Sequence, residues 1–122
     1  MRVRPRVLIV DDAPAALRDY LEGKRYEVLS AESASGLIDT VRTRRPHVVV
    51  LDVNLARTGG GAVIIAAISA TAPVIVTAAE ADVESAGQAM RDGAFDVVTK
   101  PFDLRRVRQL IDVAVQHAPD LL

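Results

Sequence analysis

The chain has no cysteine among its 122 residues. Disulfide frameworks and thiolate metal centres are therefore excluded, and a reducing compartment suits it. Net charge is nearly absent too: 15 basic against 16 acidic residues leave −1. Such a balance gives no overall attraction to nucleic acid or to anionic lipid. Metal-ligand spacing is lacking around the two histidines, His47 and His117, which read as structural or surface residues. A secretory leader is not expected, because "MRVRPRVLIVDD" reaches two acidic residues after a four-residue apolar run. Charge is missing altogether from residue 58 to residue 79, a length that could cross a bilayer. That segment does not read as a span. It opens on Gly59-Gly60-Gly61 and is broken by Thr71-Ala72-Pro73, a turn signal. It divides into a short apolar helix over residues 62–70 and a strand over residues 74–77.

What is present is a chain half of whose residues are hydrophobic. It is long enough for one domain with its own core, expected over about residues 5–117. The run from Arg6 to Val10 reads as a strand. Pro14 pre-sets the first turn of a helix whose inner face carries Leu17, Tyr20 and Leu21, with Gly23 just past its end. A second strand spans residues 26–30. Leu37, Ile38 and Val41 mark a second helix, closed off by Pro46. "VVVLDVNL" supplies the third strand, residues 48–51, buried on both faces. After the apolar helix and fourth strand, Asp82 is placed to cap a fourth helix with Val83, Ala86, Ala89 and Met90 inward. A fifth strand spans residues 95–98. Asp103 caps a fifth helix with an inner stripe of Leu104, Val107, Ile111, Ala114 and Val115. Strands alternating with helices argue for an α/β fold, a doubly wound parallel sheet covered on both faces. Ligands of such sheets bind outside the carboxyl ends of the strands.

Polar groups far apart in sequence collect at that edge. Asp11 and Asp12 end the first strand, Asp52 the third and Thr77 the fourth, and Lys100 follows the fifth. Crowded carboxylates raise each other's pKa, a conflict that a divalent cation relieves. Oxygen ligands without sulfur or imidazole favour a hard ion such as Mg²⁺. A carboxylate, a metal, a lysine and a hydroxyl suit phosphoryl transfer onto the carboxylate.

The blocks "VLIVDD", "VVVLDVNL", "PVIVTA" and "VTKPF" resemble, in the right order, the signature of the receiver domain of two-component response regulators. "DVESAGQAMRDGAFDVVTKPF" is similar to receivers of the nitrogen-control and related transcription families. The resemblance implies a flavodoxin-like (βα)5 fold with strand order 2-1-3-4-5. It implies Asp52 as phosphoacceptor, Asp12 as direct Mg²⁺ ligand, Asp11 acting through water, and Asn54 lending its backbone carbonyl to the metal. Thr77 and Lys100 would hold the phosphoryl group, Ala78 would leave access open, and Lys100-Pro101 would be cis. A sensor histidine kinase or phosphotransfer protein would be the donor. The surface of the fourth helix, fifth strand and fifth helix would carry the output, in a homodimer. The domain would be cytoplasmic, without contact to nucleic acid or membrane, and not an enzyme beyond its own phosphorylation and dephosphorylation.

The sequence also departs from that family. Ala56 stands where a proline is usual, and Gly59-Gly60-Gly61 where Asp-Gly is usual. A more flexible loop after the third strand and a short third helix are expected. Val97 replaces an aromatic switch residue, and Phe95 is expected to face the other way. The response should then rest on the backbone of residues 78–81 and on the fourth helix. The clusters Arg42, Arg44, Arg45 and Arg105, Arg106, Arg108 read as solvated helix faces. Arg2, Arg4 and Arg6 read as a frayed lead-in, and "AVQHAPDLL" as the start of a linker. A phosphatase of the haloacid-dehalogenase type would need an acid where Asn54 stands. A degenerate receiver acting without phosphorylation stays open as the alternative.

Overall fold

The computed structural model describes residues 4–58 and 61–118. Five strands form one parallel sheet: β1 (Arg6–Val10), β2 (Glu27–Ala31), β3 (Val48–Asp52), β4 (Val74–Ala79) and β5 (Asp96–Lys100), in the order β2-β1-β3-β4-β5. The order is the flavodoxin-like one expected. The helices are α1 (Ala15–Glu22), α2 (Leu37–Arg44), α3 (Val53–Thr58), α4 (Ala62–Ser69), α5 (Val83–Arg91) and α6 (Leu104–Gln116). The expected fourth and fifth helices are thus α5 and α6. A single 3-10 turn, Glu80–Asp82, joins β4 to α5.

Alternation along the strands builds two cores, because successive side chains point to opposite faces. Val7, Ile9, Val48, Val50 and Ile75 pack with Leu17 and Leu21 of α1 and Val107, Leu110 and Ile111 of α6. Leu8, Val10, Val49, Leu51, Val74 and Val76 pack on the other face with residues of α2, α3, α4 and α5. The central strands carry apolar residues on both sides because helices cover both. Asp103 caps α6 by accepting the Arg105 N–H at 2.8 Å.

Several expectations need correction. α3 stands where the sequence predicts a loop. Val53 and Ala56, three residues apart, are both buried, so one face of this turn joins the core. Alanine in place of proline leaves that turn free to be helical. The expected flexibility at Gly59 and Gly60 lies outside the described residues, as do Arg2 and residues 119–122 of the expected linker; its residues 114–116 belong instead to α6. The Val83 side chain also lies outside the described structure. Met90 is 45% exposed. It lies on the flank of α5, whose inward residues are Ala86 and Ala89. Arg4 and Arg6 are not frayed: Arg4 donates to the Tyr26 carbonyl, and the Arg6 guanidinium to the Arg45 carbonyl at 2.8 Å. Phe95 and Val97 do belong to opposite cores. Strand alternation is not the reason, since residues two apart share a face. Phe95 precedes β5 and packs against His117, with ring centroids 5.4 Å apart and the planes tilted by 50°.

Gly93 has φ +116, and a Cβ there would lie 2.8 Å from Ser69 Oγ. Gly93→Ala should therefore lower the unfolding free energy by about 1–3 kcal/mol. Adding Ser69→Ala removes the contact but not the backbone strain. The double variant should stay at least about 1 kcal/mol below Ser69→Ala alone. Urea denaturation of the three variants decides, and equal stability would refute the strain.

Candidate functional site

The chain visits β2 at one edge and returns past β1 to β3, so the winding direction changes between β1 and β3. At such a switch point a crevice opens at the carboxyl ends of the strands. Asp11 follows β1 and Asp52 ends β3 on either side of it. Lys100, the last residue of β5, reaches both: its ammonium lies 2.7 Å from Asp52 Oδ2 and 3.0 Å from Asp11 Oδ2. Two carboxylates brought together by parallel strands thus share one cation.

The remaining carboxylate oxygens are held by backbone amides. Asp11 Oδ1 accepts the Ala13 N–H at 2.9 Å. Asp52 Oδ1 accepts the N–H of Asn54 at 2.7 Å and of Leu55 at 3.4 Å. The second pattern is an N-cap, so Asp52 is both the end of β3 and the cap of α3. Both aspartates are largely buried, at 14% and 12% side-chain exposure. Partial burial pushes the Asp11 carboxyl up, but the Ala13 N–H and the Lys100 ammonium together hold it below its ordinary value. Burial likewise disfavours the Lys100 charge, and hydrogen bonds to Asp52 and Asp11 overcome this and raise its pKa.

Thr77 pairs in register with Asp52 on the neighbouring strand, about 4.8 Å away across the sheet. It is 1% exposed, and its hydroxyl has no hydrogen-bond partner among the described residues. A buried hydroxyl left unpaired costs about 1–3 kcal/mol. The strand runs on to Ala79 rather than ending at Thr77. Ala78 is buried beside it, and the Lys100-Pro101 peptide is cis.

The structure thus joins Asp11, Asp52 and Lys100 directly, with Thr77 adjacent. Asp12 is exposed, and among the described residues no three acidic or histidine side chains form a metal cage. The Asn54 side chain turns away: its amide donates to Asp82 Oδ2 at 3.3 Å, and its oxygen accepts from Arg57. Arg57 was missed by sequence reading, because a lone arginine beside a glycine run gives no periodic signal. The sequence marks Asp82 only as a cap. It occupies the cap position of α5 without a capping hydrogen bond.

The model of the response regulator receiver domain matches residues 7–112. The chain is 36% identical over 115 residues to the transcriptional regulatory protein KdpE of Mycobacterium tuberculosis, covering 91% of this chain and 51% of that protein. It is 32% identical over 114 residues to the DNA-binding transcriptional regulator NtrC of Klebsiella pneumoniae, covering 89% of this chain and 24% of the regulator. The chain therefore spans about half, or less, of these relatives. Among solved structures, the receiver domain of NtrX from Brucella abortus superposes with a TM-score of 0.80 at 25% identity, covering 92% of this chain and 99% of that one.

Removing the shared cation gives a pH-dependent test. The folded pKa of Asp11 lies below 3.8. Its stabilising contribution is complete above that value and is lost as the pH falls through the folded one. The Lys100 contribution is complete below its ordinary 10.5 and is lost as the pH rises through its raised folded value. Lys100→Ala should cost roughly 1–2 kcal/mol at neutral pH, discounted for the partly exposed lysine. The gap from wild type should narrow as the pH falls through the lowered folded pKa of Asp11. Urea melts across this range check it; a gap independent of pH would contradict the shared-cation reading.

Proposed function

The chain belongs to the response regulator receiver domain family, and on that basis we propose that it accepts a phosphoryl group on Asp52 from a sensor histidine kinase or phosphotransfer protein. The observation that carries the reading is the convergence of Asp52 and Asp11 on Lys100, beside the unpartnered Thr77 hydroxyl. A carboxylate oxygen of Asp52 attacks phosphorus, and the new O–P bond forms as the donor's P–N bond breaks. The electron pair returns to the donor imidazole, which leaves neutral when its other nitrogen carries the proton. Lys100 then exchanges a carboxylate partner for a phosphoryl oxygen, keeping a charge-assisted hydrogen bond throughout. The Thr77 hydroxyl gains the partner it lacks. Hydrolysis returns the carboxylate and inorganic phosphate.

The donor chemistry fits a hard divalent ion. It offers carboxylates and a carbonyl without sulfur or imidazole, and two of the carboxylates already converge on one cation. Asp11, Asp12, Asp52 and the Asn54 carbonyl would hold Mg²⁺. When bound, the ion supplies positive charge against the phosphoryl oxygens and relieves repulsion among the carboxylates.

The output is a shift between two conformations of the surface formed by α5, β5 and α6. Its self-association is supported by the large exposed hydrophobics Met90 on α5 and Val113 on α6. Val97 packs against the core beside this surface. A β-branched residue has few rotamers to switch between, so the backbone around Ala79 and the following 3-10 turn carries the change. A cytoplasmic location is part of the proposal. No helix among the described residues is long and apolar enough to cross a membrane. Asp12 is exposed and, among the described residues, does not join Asp11 and Asp52 in one acidic group; this is the observation behind a second reading, a degenerate receiver that binds its partners without phosphorylation.

Intact mass after incubation with acetyl phosphate separates the two readings. One added phosphoryl group is expected, only with Mg²⁺ present, and none on Asp52→Asn. Labelling of Asp52→Asn at the wild-type level would move the acceptor elsewhere. An unlabelled wild type would favour the degenerate receiver. Thr77→Ala should still be labelled, but its α5 amide signals should move less than those of wild type.

A further inference from the structure

Asp52 Oδ1 holds the first turn of α3 through the Asn54 and Leu55 N–H groups. From the same turn, Asn54 and Arg57 reach across to the start of α5. The Asn54 amide donates to Asp82 Oδ2 at 3.3 Å. The Arg57 guanidinium donates to the Asn54 side-chain oxygen, lies 3.9 Å from Asp82 Oδ1, and donates to Ser85 Oγ at 3.5 Å. With this tie goes a backbone at Asp82 of φ −105° and ψ 26°, not the extended one of a capping residue that Asp103 has, so capping needs both the tie released and this backbone turned. Asp82 stands at the head of α5 and caps nothing, whereas Asp103 at the head of α6 takes the Arg105 N–H at 2.8 Å. One carboxylate has two uses, tie to α3 or cap of α5. In the geometry seen, it makes the tie.

We infer that α3 is a relay, coupling the chemical state of Asp52 to the start of α5 through Asn54, Arg57 and Asp82. The inference rests on Asp52 being the phosphoacceptor. Phosphorylation bonds one Asp52 oxygen to phosphorus and leaves the other as an acyl carbonyl. Whichever oxygen attacks, the carboxylate charge that strengthens the bonds to Asn54 and Leu55 is lost from that group. Neutral acceptors hold amides less firmly than ionised ones. The first turn of α3 loosens, Asn54 and Arg57 let go of Asp82, and its carboxylate turns to the N–H groups of Glu84 and Ser85 in the first turn of α5. Aspartate is among the preferred capping residues, so α5 is firmer in the phosphorylated state. Two exclusive arrangements of one side chain give the discrete element that such coupling needs. Arg57 acts here as a positioning residue that need touch neither phosphate nor metal.

The test is amide chemical-shift mapping of the whole chain, with and without beryllofluoride and Mg²⁺ as the phosphoryl mimic. Without the mimic, Arg57→Ala should move the Glu84 and Ser85 amides part of the way along the path that the mimic drives in wild type. A two- to fivefold change in the ratio of the two states is expected, roughly the worth of one exposed ion pair. Asp82→Asn should shift them the same way, since asparagine caps well but forms no ion pair. Asp82→Ala, without a cap, should fail to reach the mimic-bound positions even when the mimic is saturating. Glu84 and Ser85 amides that stay put in Arg57→Ala, or move off the path, would overturn the relay. So would the same α5 response to the mimic in wild type and Arg57→Ala. A wild type that binds no mimic at all would overturn the phosphoacceptor reading, and the relay with it.

Discussion

Two carboxylates brought together in a largely buried crevice at the ends of adjacent parallel strands repel each other unless a cation stands between them. That constraint organises the carboxyl edge of this domain. Lys100 meets it from β5 by bonding to Asp11 and Asp52 at once. The remaining oxygens are taken up by backbone amides at the start of the following segments. Each aspartate is therefore held at both ends, by a charge on one side and by main chain on the other. Any change at the carboxylate is felt by both holders.

The sheet supplies the rigidity this needs. β1, β3 and β4 are central, apolar on both faces and packed between two cores. The strand ends are thus fixed by buried side chains several residues back. Parallel register sets Asp52 beside Thr77 as surely as it sets Val50 beside Ile75. The segments beyond the strand ends are built more lightly. α3 has six residues, and the turn before α5 has three. A stiff base with short, lightly held elements on its rim is the arrangement expected where local rearrangement must not disturb the core.

Much of this was legible in the sequence. Continuous apolar runs ending in acidic residues announced the buried strands, and their alternation with helical periods announced the sheet. Asp11, Asp52, Thr77 and Lys100 could be named because the carboxyl edge collects whatever polar residues end such strands. α3 was less visible. It is too short for periodicity to register, and its cap is the residue already claimed for chemistry. The position of Met90 was misjudged because periodicity gives a helical stripe but not its edges. The tie between Arg57 and Asp82 joins residues 25 apart in sequence. Contacts of that kind depend on the packing of α3 against α5, which no local pattern encodes.

The unpartnered Thr77 hydroxyl has a thermodynamic meaning of its own. A polar atom sealed inside the protein, without a partner among the described residues, lowers the stability that packing alone would give by about 1–3 kcal/mol. Any ligand or modification that offers this hydroxyl an acceptor recovers that energy in the folded state only. The domain's melting temperature is then a reporter of the site's occupancy. Selection for a more heat-resistant form would favour an apolar residue here, at the cost of that coupling between occupancy and stability.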